Sequence, residues 1–145
     1  MQYMWADTLL ALERAHLLRL VLWGGASLAV GGALLALLRL RGHRSALLQH
    51  FGIQTMLWGT IDLALALLGL QRLELRDLAG ATRLDRFLWL NVGLDAGYVM
   101  VGLTLLVFGW RTPRRPGLVG AGLAVVVQGS ALAILDLLLA GQISR

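Results

Sequence analysis

The stretch LVLWGGASLAVGGALLALL, residues 20–38, contains no charged side chain. A helix of about 20 mostly apolar residues is long enough to cross the apolar core of a bilayer. Three further segments of this kind follow, so the predicted spans cover about residues 20–38, 48–70, 87–110 and 118–141. The pattern predicts an all-α fold, a transmembrane four-helix bundle, in which residues 1–145 form a single integral membrane domain.

The overall composition supports a membrane protein. Hydrophobic residues make up 58% of the chain and charged residues only 14%, whereas soluble domains carry about 25% charged residues. This excludes a soluble enzyme, a disordered chain and a nucleic-acid-binding protein, and the expected partner is the lipid bilayer. The net charge of +5 suits loops that lie at an anionic membrane surface.

Two residue types are missing from the chain. It has no cysteine, and all 13 of its strongly basic residues are arginine. Disulfides, thiolate nucleophiles and lysine Schiff bases are therefore excluded. The sequence also contains no nucleophile, phosphate-loop or metalloenzyme motif. It predicts no catalytic residues, does not favour an enzyme, and leaves any cofactor or metal ion unspecified.

The segments between the spans differ in length and charge. Residues 3–19 are predicted to form an N-terminal helix that either lies at the membrane interface or continues into the first span. The linkers 39–44 and 111–116 are short and rich in arginine. The linker 71–86 is longer and carries both charges, and we expect a surface helix that is broken at Gly80.

The distribution of arginine predicts the orientation in the membrane. The linkers 39–44 and 111–116 hold six arginines and no acidic residue, whereas the arginines at the other side are mixed with acids. Dense basic residues next to spans favour the cytoplasmic side. The sequence therefore predicts a multi-pass protein of the cytoplasmic membrane with both termini outside.

A weak internal repeat relates the two halves of the chain. Gln54–Ala66 aligns without a gap on Gln128–Ala140, and Ser27–Gly31 aligns loosely on Tyr98–Gly102. The repeat predicts two similar helical hairpins related by an axis along the membrane normal. Small residues in the first and third spans predict close helix packing: Gly24, Gly25, Ser27, Gly31, Gly32, Gly93 and Gly97.

Three of the eight acidic residues lie inside the predicted spans. Asp62 and Asp95 are each about 12 Å from the outer end of their helix, at about 1.5 Å per residue, and Asp136 lies at a similar depth. An acidic residue inside a bilayer indicates a functional site by default because it is costly there. Three carboxylates at one level cannot all be ionised without a cation.

Each aspartate has polar or aromatic companions on its own helix face, three, four or eight residues away. The candidate ligand-binding residues are therefore Asp62, Asp95, Asp136, Gln54, Asn91, Tyr98, Gln128 and Trp58.

Three interpretations of this cluster stay open. It binds a proton, a cation or a small polar ligand in a transport or binding role, and a cavity then separates the aspartates. Alternatively, the chain is a non-catalytic accessory or scaffold subunit of a membrane complex, whose carboxyl groups bond directly to neighbouring helices. In the third interpretation, Trp58 and Tyr98 line a laterally open pocket for a lipid or hydrophobic cofactor. All three are compatible with a homo-oligomer or a larger membrane complex.

Three segments carry a resemblance to a known family: HFGIQTMLWGTIDLALALLG (50–69), LNVGLDAGYVMVGL (90–103) and VVQGSALAILDL (126–137). They resemble an uncharacterised family of small bacterial membrane proteins with four spans, over about residues 45–140. The most specific piece is Leu-Asn-x-x-Leu-Asp-x-x-Tyr at 90–98. No activity is assigned to that family, so the resemblance implies the architecture and the choice of polar residues. It also implies that asparagine is acceptable at the position of Asp62.

Overall fold

Four long helices make up the fold. The computed structural model describes residues 2–113 and 115–143, with side chains described from residue 5 onwards. The helices are α1 (Gln2–Leu40), α2 (Ala46–Gln71), α3 (Leu78–Arg111) and α4 (Pro116–Ile143). The described residues contain no strand, and all four helices are long and apolar enough to cross a membrane. The predicted all-α, four-helix fold is confirmed.

The helix ends follow from local chemistry. Gly42 has a φ of 63°, a left-handed conformation that glycine adopts at little cost, and it turns the chain after α1. The Ser45 hydroxyl accepts a hydrogen bond from the backbone N–H of Leu48 and caps α2. Pro116 is the first residue of α4, where its missing N–H costs nothing.

Two of the connecting segments are shorter than the sequence suggests. Residues 3–19 continue without a break into the first span as part of α1, which was the second of the two alternatives for this segment. Between α2 and α3 only residues 72–77 lie outside a helix. The predicted break at Gly80 is wrong, because the Asp77 carboxylate accepts a hydrogen bond from the Gly80 N–H at 2.7 Å and starts α3 there.

The helices pack as two hairpins joined through α2 and α4. The most extensive contacts are α3 with α4 and α1 with α2, followed by α2 with α4, whereas α1 touches α4 over a small area. Among the described residues, the backbones of α2 and α3 do not come into contact. The bundle is therefore open between α2 and α3.

Glycine pairs set the close approach within each hairpin. A methyl group added to Gly31 would lie 2.7 Å from the Gly52 carbonyl oxygen of α2, and one added to Gly102 would lie 2.9 Å from that of Gly122 in α4. Gly52 follows Gly31 by 21 residues, and Gly122 follows Gly102 by 20 residues. The two hairpins therefore repeat one packing motif, as the internal repeat predicts.

The two hairpins differ at the next contact between their helices, about two helical turns farther from the connecting loop. In the first hairpin Gly24 packs against Gly59, whereas in the second Asp95 lies at the corresponding place against Gly129. This register agrees with the alignment of Ser27–Gly31 on Tyr98–Gly102. For α2 and α4, however, the match given by the glycine contacts differs by one helical turn from the sequence alignment. The residue of α2 that corresponds to Gln128 is therefore Trp58 rather than Gln54.

Some glycines do not serve the packing that the sequence suggests. Gly25, Gly32, Gly93 and Gly97 have nothing within 4 Å of an added methyl group. The expected close contact at Gly93 and Gly97 is therefore wrong, because this face of α3 points away from its neighbours.

Candidate functional site

The gap between α2 and α3 contains a cavity of about 550 Å³. Its walls come from the C-terminal halves of α2 and α4 and the N-terminal halves of α1 and α3, together with the linker at 72–77. The cavity therefore lies in the half of the bundle that the sequence predicts to face outward. Most of its lining is apolar, with polar groups at a few positions.

Six of the eight candidate residues from the sequence line this cavity, and two do not. The structure brings together three aspartates, one asparagine and two aromatic residues: Asp62, Asp95, Asp136, Asn91, Trp58 and Tyr98. Gln54 and Gln128 lie outside its lining. The aspartates also interact electrostatically with one another.

Asp62 and Asp95 are the least satisfied polar groups of the cavity wall. Their exposed fractions are 6% and 5%, and the Oδ2 atom of each is buried without a hydrogen-bond partner. A buried acceptor without a partner costs about 1–3 kcal/mol. These two carboxyl groups are therefore available to a proton or to a donor that enters the cavity.

Asp136 differs from the other two because it has a protein partner. Its Oδ1 lies 3.2 Å from Nε2 of His16 in α1, and both side chains are buried. The other ring nitrogen of His16, Nδ1, has no hydrogen-bond partner. Asp136 thus joins α4 to α1, in line with a structural role for at least this carboxyl group.

An ion pair between Arg76 and Glu13 lies at the linker end of the cavity. The Arg76 guanidinium donates two hydrogen bonds to the carboxylate of Glu13, at 2.8 and 2.6 Å. These bonds raise the pKa of Arg76 above its usual value, although partial burial acts in the opposite direction. The pair fastens the linker between α2 and α3 onto α1.

Gln128 is hydrogen-bonded to two residues of α1. Its Oε1 accepts a hydrogen bond from the indole N–H of Trp23 at 2.7 Å, and its Nε2 donates one to the Ser27 hydroxyl at 3.0 Å. These bonds hold α4 against α1. Gln54 is half-buried on α2. It lies one helical turn away from the position on α2 that corresponds to Gln128.

An aromatic pair keeps α2 and α3 apart. The rings of Trp58 and Tyr98 meet edge to face, with their centroids 4.9 Å apart. In the repeat these residues correspond to Gln128 and Ser27, which form a hydrogen bond between α4 and α1. Two rings occupy much more space than an amide and a hydroxyl. The same crossing is therefore closed on one side of the bundle and open on the other.

The cavity opens sideways through the gap between these helices. Its lining includes residues of α2 and α3 whose side chains are exposed, among them Ile61 (49%), Leu65 (62%) and Phe87 (57%). A lateral opening in the spanning part of a membrane protein faces lipid rather than water. Ligands that partition into the bilayer could therefore reach the aspartates directly.

Sequence reasoning missed three polar residues of this region: Glu13, His16 and Arg76. A signal for the first two was present, because Leu9, Glu13 and His16 follow the spacing of a packed helix face. Leu9, Glu13 and His16 are all buried. The partners of Glu13 and His16 come from distant parts of the chain, so the local sequence gives no sign of these pairs.

The described residues contain no group of three or more histidines, aspartates or glutamates with the spacing of a metal site. The three aspartates share a cavity but do not converge on one point that a metal ion could occupy. The arrangement is better suited to a ligand large enough to reach more than one of them.

Comparison with known proteins identifies the family and nothing further. The model of a family described as a family of unknown function, DUF6992, matches residues 19–137. Because this segment is most of the chain, the chain belongs to that family, and the expectation of an uncharacterised family is confirmed. No curated protein and no solved structure matches the chain.

Proposed function

We propose that this member of the DUF6992 family is a small protein of the bacterial inner membrane that binds a proton, a cation or a small polar ligand between α2 and α3. Asp62 and Asp95 are the principal binding groups, and Asn91, Trp58 and Tyr98 complete the site. Asp136, held by His16, forms its inner wall. The role is binding or transport rather than catalysis.

One observation carries this proposal. Two buried carboxyl groups, each with an unpartnered oxygen, line a cavity of about 550 Å³. A purely structural polar seam would have its carboxyl groups bonded to neighbouring helices with no void between them. Of the three aspartates, only Asp136 has such a partner, His16 of α1. The void beside Asp62 and Asp95 favours a binding site over a scaffold role.

The orientation of the protein is part of the proposal. The cavity lies at the end of the bundle that holds the linker at 72–77, and the dense arginines lie at the turns of the opposite end. Because basic clusters next to spans stay in the cytoplasm, we place the cavity in the outer half of the membrane and both termini outside.

A hydrophobic carbodiimide tests whether the site is accessible. Dicyclohexylcarbodiimide dissolves in the bilayer and modifies carboxyl groups that it can reach from an apolar environment. We expect mass spectrometry to show an adduct on the intact protein, and its fragments to place the adduct on Asp62 or Asp95 and not on Asp136, which is bonded to His16. The adduct should disappear in the double variant Asp62→Asn, Asp95→Asn.

Asp85→Asn is the matched control for this experiment. Asp85 lies on α3 outside the cavity lining, so this variant should be labelled like the wild type. Absence of an adduct on both Asp62 and Asp95, or equal labelling of the double variant, contradicts the proposed site.

A further inference from the structure

We infer that the ligand of this cavity is an organic ammonium ion: an apolar, preferably aromatic body that carries a protonated amine and enters laterally from the bilayer. This inference rests on the proposed function and names the chemical class that the site recognises. It follows from four properties of the cavity: its charge, its unpartnered atoms, its size and its opening.

Charge selects a cation. The ionisable residues that line the cavity are four acids and three bases: Glu13, Asp62, Asp95, Asp136, His16, Arg72 and Arg76. Arg76 is paired with Glu13 and His16 with Asp136, and Arg72 is exposed at the linker. Asp62 and Asp95 remain without a basic partner in the interior. A cation brought between them would supply the missing charge.

The unpartnered atoms select a hydrogen-bond donor. Asp62 and Asp95 each bury more than nine tenths of their surface, and each has a carboxylate oxygen with no donor. A primary ammonium group carries three N–H donors and can serve more than one carboxyl group. A quaternary ammonium ion carries the charge but no donor, so it would leave these acceptors unsatisfied.

Size and lining select the body of the ligand. A proton or a monatomic ion needs no cavity of about 550 Å³, which falls within the range of about 300–1,000 Å³ that is usual for drug-sized ligands. No metal-type cluster occurs among the described residues. Trp58 and Tyr98 border the site, and the faces of aromatic rings attract ammonium groups. The mostly apolar walls suit an apolar body.

The opening between α2 and α3 admits such a ligand from the membrane. An amphipathic amine concentrates in the bilayer with its charged group near the surface. The aspartates lie on the cavity wall in the part of the bundle toward the linker, and an ammonium group could reach them between the exposed Ile61 and Phe87. The chemistry is shared by a free hydrophobic amine and by the headgroup of an aminophospholipid.

Calorimetric titration of the whole protein tests the inference. The protein is placed in nanodiscs of phosphatidylcholine, and the probe is 4-phenylbutylammonium. We expect saturable binding that Asp62→Asn and Asp95→Asn each weaken at least about tenfold, since a charged hydrogen bond contributes roughly 1.5–3 kcal/mol. Asp85→Asn should bind like the wild type.

Two matched probes separate the contributions. The neutral 4-phenylbutan-1-ol has the same apolar body without charge, and the trimethylammonium analogue has charge without N–H donors. Both should bind more weakly than the primary ammonium. Equal binding of the alcohol, or equal binding of the ammonium by wild type and Asp95→Asn, overturns the inference.

The lipid composition distinguishes the two sources of the amine. If an aminophospholipid is the natural occupant, phosphatidylethanolamine in the nanodiscs competes with the probe, and native mass spectrometry finds it retained by the wild type but not by the double variant. If the natural ligand is a free amine, that lipid has no effect. Either outcome supports an ammonium site.

A failure of the inference can be told from a failure of the proposed function. If carbodiimide still labels Asp62 or Asp95 but no ammonium probe binds, the accessible carboxyl site stands and the ligand class is wrong. If neither reagent reaches the aspartates, both proposals fail.

Discussion

At the scale of single residues, three aspartates that look alike in the sequence have different surroundings. Asp136 is paired with His16 at 3.2 Å, whereas Asp62 and Asp95 each keep an oxygen without a partner. A group that serves a ligand is often held in a state that does not favour the stability of the empty protein. The difference in partners therefore separates Asp136, which is bonded to α1, from the two carboxyl groups to which we assign the proposed binding role.

Substitution of these aspartates by alanine should change the free energy of unfolding by different amounts. Asp136→Ala leaves the buried His16 side chain without its partner and should lower the free energy of unfolding by about 1–3 kcal/mol. Asp95→Ala removes a buried acceptor that has no partner, so it should leave stability unchanged or raise it by up to about 1–3 kcal/mol. Thermal unfolding of both variants in one detergent measures the effect. Equal losses would mean that Asp95 is also structural.

At the scale of helices, the two hairpins owe their close packing to particular glycines. Gly59 lies against the backbone of α1, where an added methyl group would be 2.6 Å from the Leu28 nitrogen and 2.7 Å from the Gly24 carbonyl oxygen. Backbone atoms cannot rotate away as a side chain can. Gly97 on α3 has nothing within 4 Å, so the same substitution there meets no obstacle.

The substitutions Gly59→Ala and Gly97→Ala form a matched pair. Gly59→Ala should force α1 and α2 apart and destabilise the protein by about 1–3 kcal/mol. Gly97→Ala should be neutral, or stabilising by up to about 1 kcal/mol, because alanine favours a helix more than glycine does. Melting temperatures in detergent check both. A destabilising Gly97→Ala would indicate that this exposed face of α3 packs against a partner, such as a second copy of the chain.

At the scale of the whole molecule, the sequence predicts the spans better than their neighbours. Hydrophobic length is a local property, and for that reason the four helices follow directly from it. The distance of Asp62 from the end of α2, nine residues, is close to the predicted one. The prediction for Asp95 is wrong, because α3 begins at Leu78 and Asp95 lies 17 residues from that end. The pairing of Glu13 with Arg76 joins residues far apart in the chain, and no local pattern encodes it.

The open side of the bundle was equally hidden from the sequence. It arises because Trp58 of α2 meets Tyr98 of α3. The corresponding residues of α4 and α1 are Gln128 and Ser27, which are smaller and form a hydrogen bond. The repeat suggests this comparison, but its sequence alignment is shifted by one turn in α2 and α4. The glycine contacts show which residues of the two hairpins correspond. The cavity therefore depends on how the helices are aligned in the folded protein, which composition does not determine.

The orientation of the bundle determines from which side the cavity is reached, and single cysteines can test it. The natural chain has no cysteine, so His43→Cys in the turn after α1 and Glu74→Cys in the linker after α2 each introduce one exposed thiol. If both termini are outside, a membrane-impermeant maleimide added to intact spheroplasts labels Glu74→Cys and spares His43→Cys. Detergent permeabilisation, as the control, should make both reactive. The reverse pattern would place the cavity in the cytoplasmic half, and an ammonium ligand would then enter from the inner leaflet.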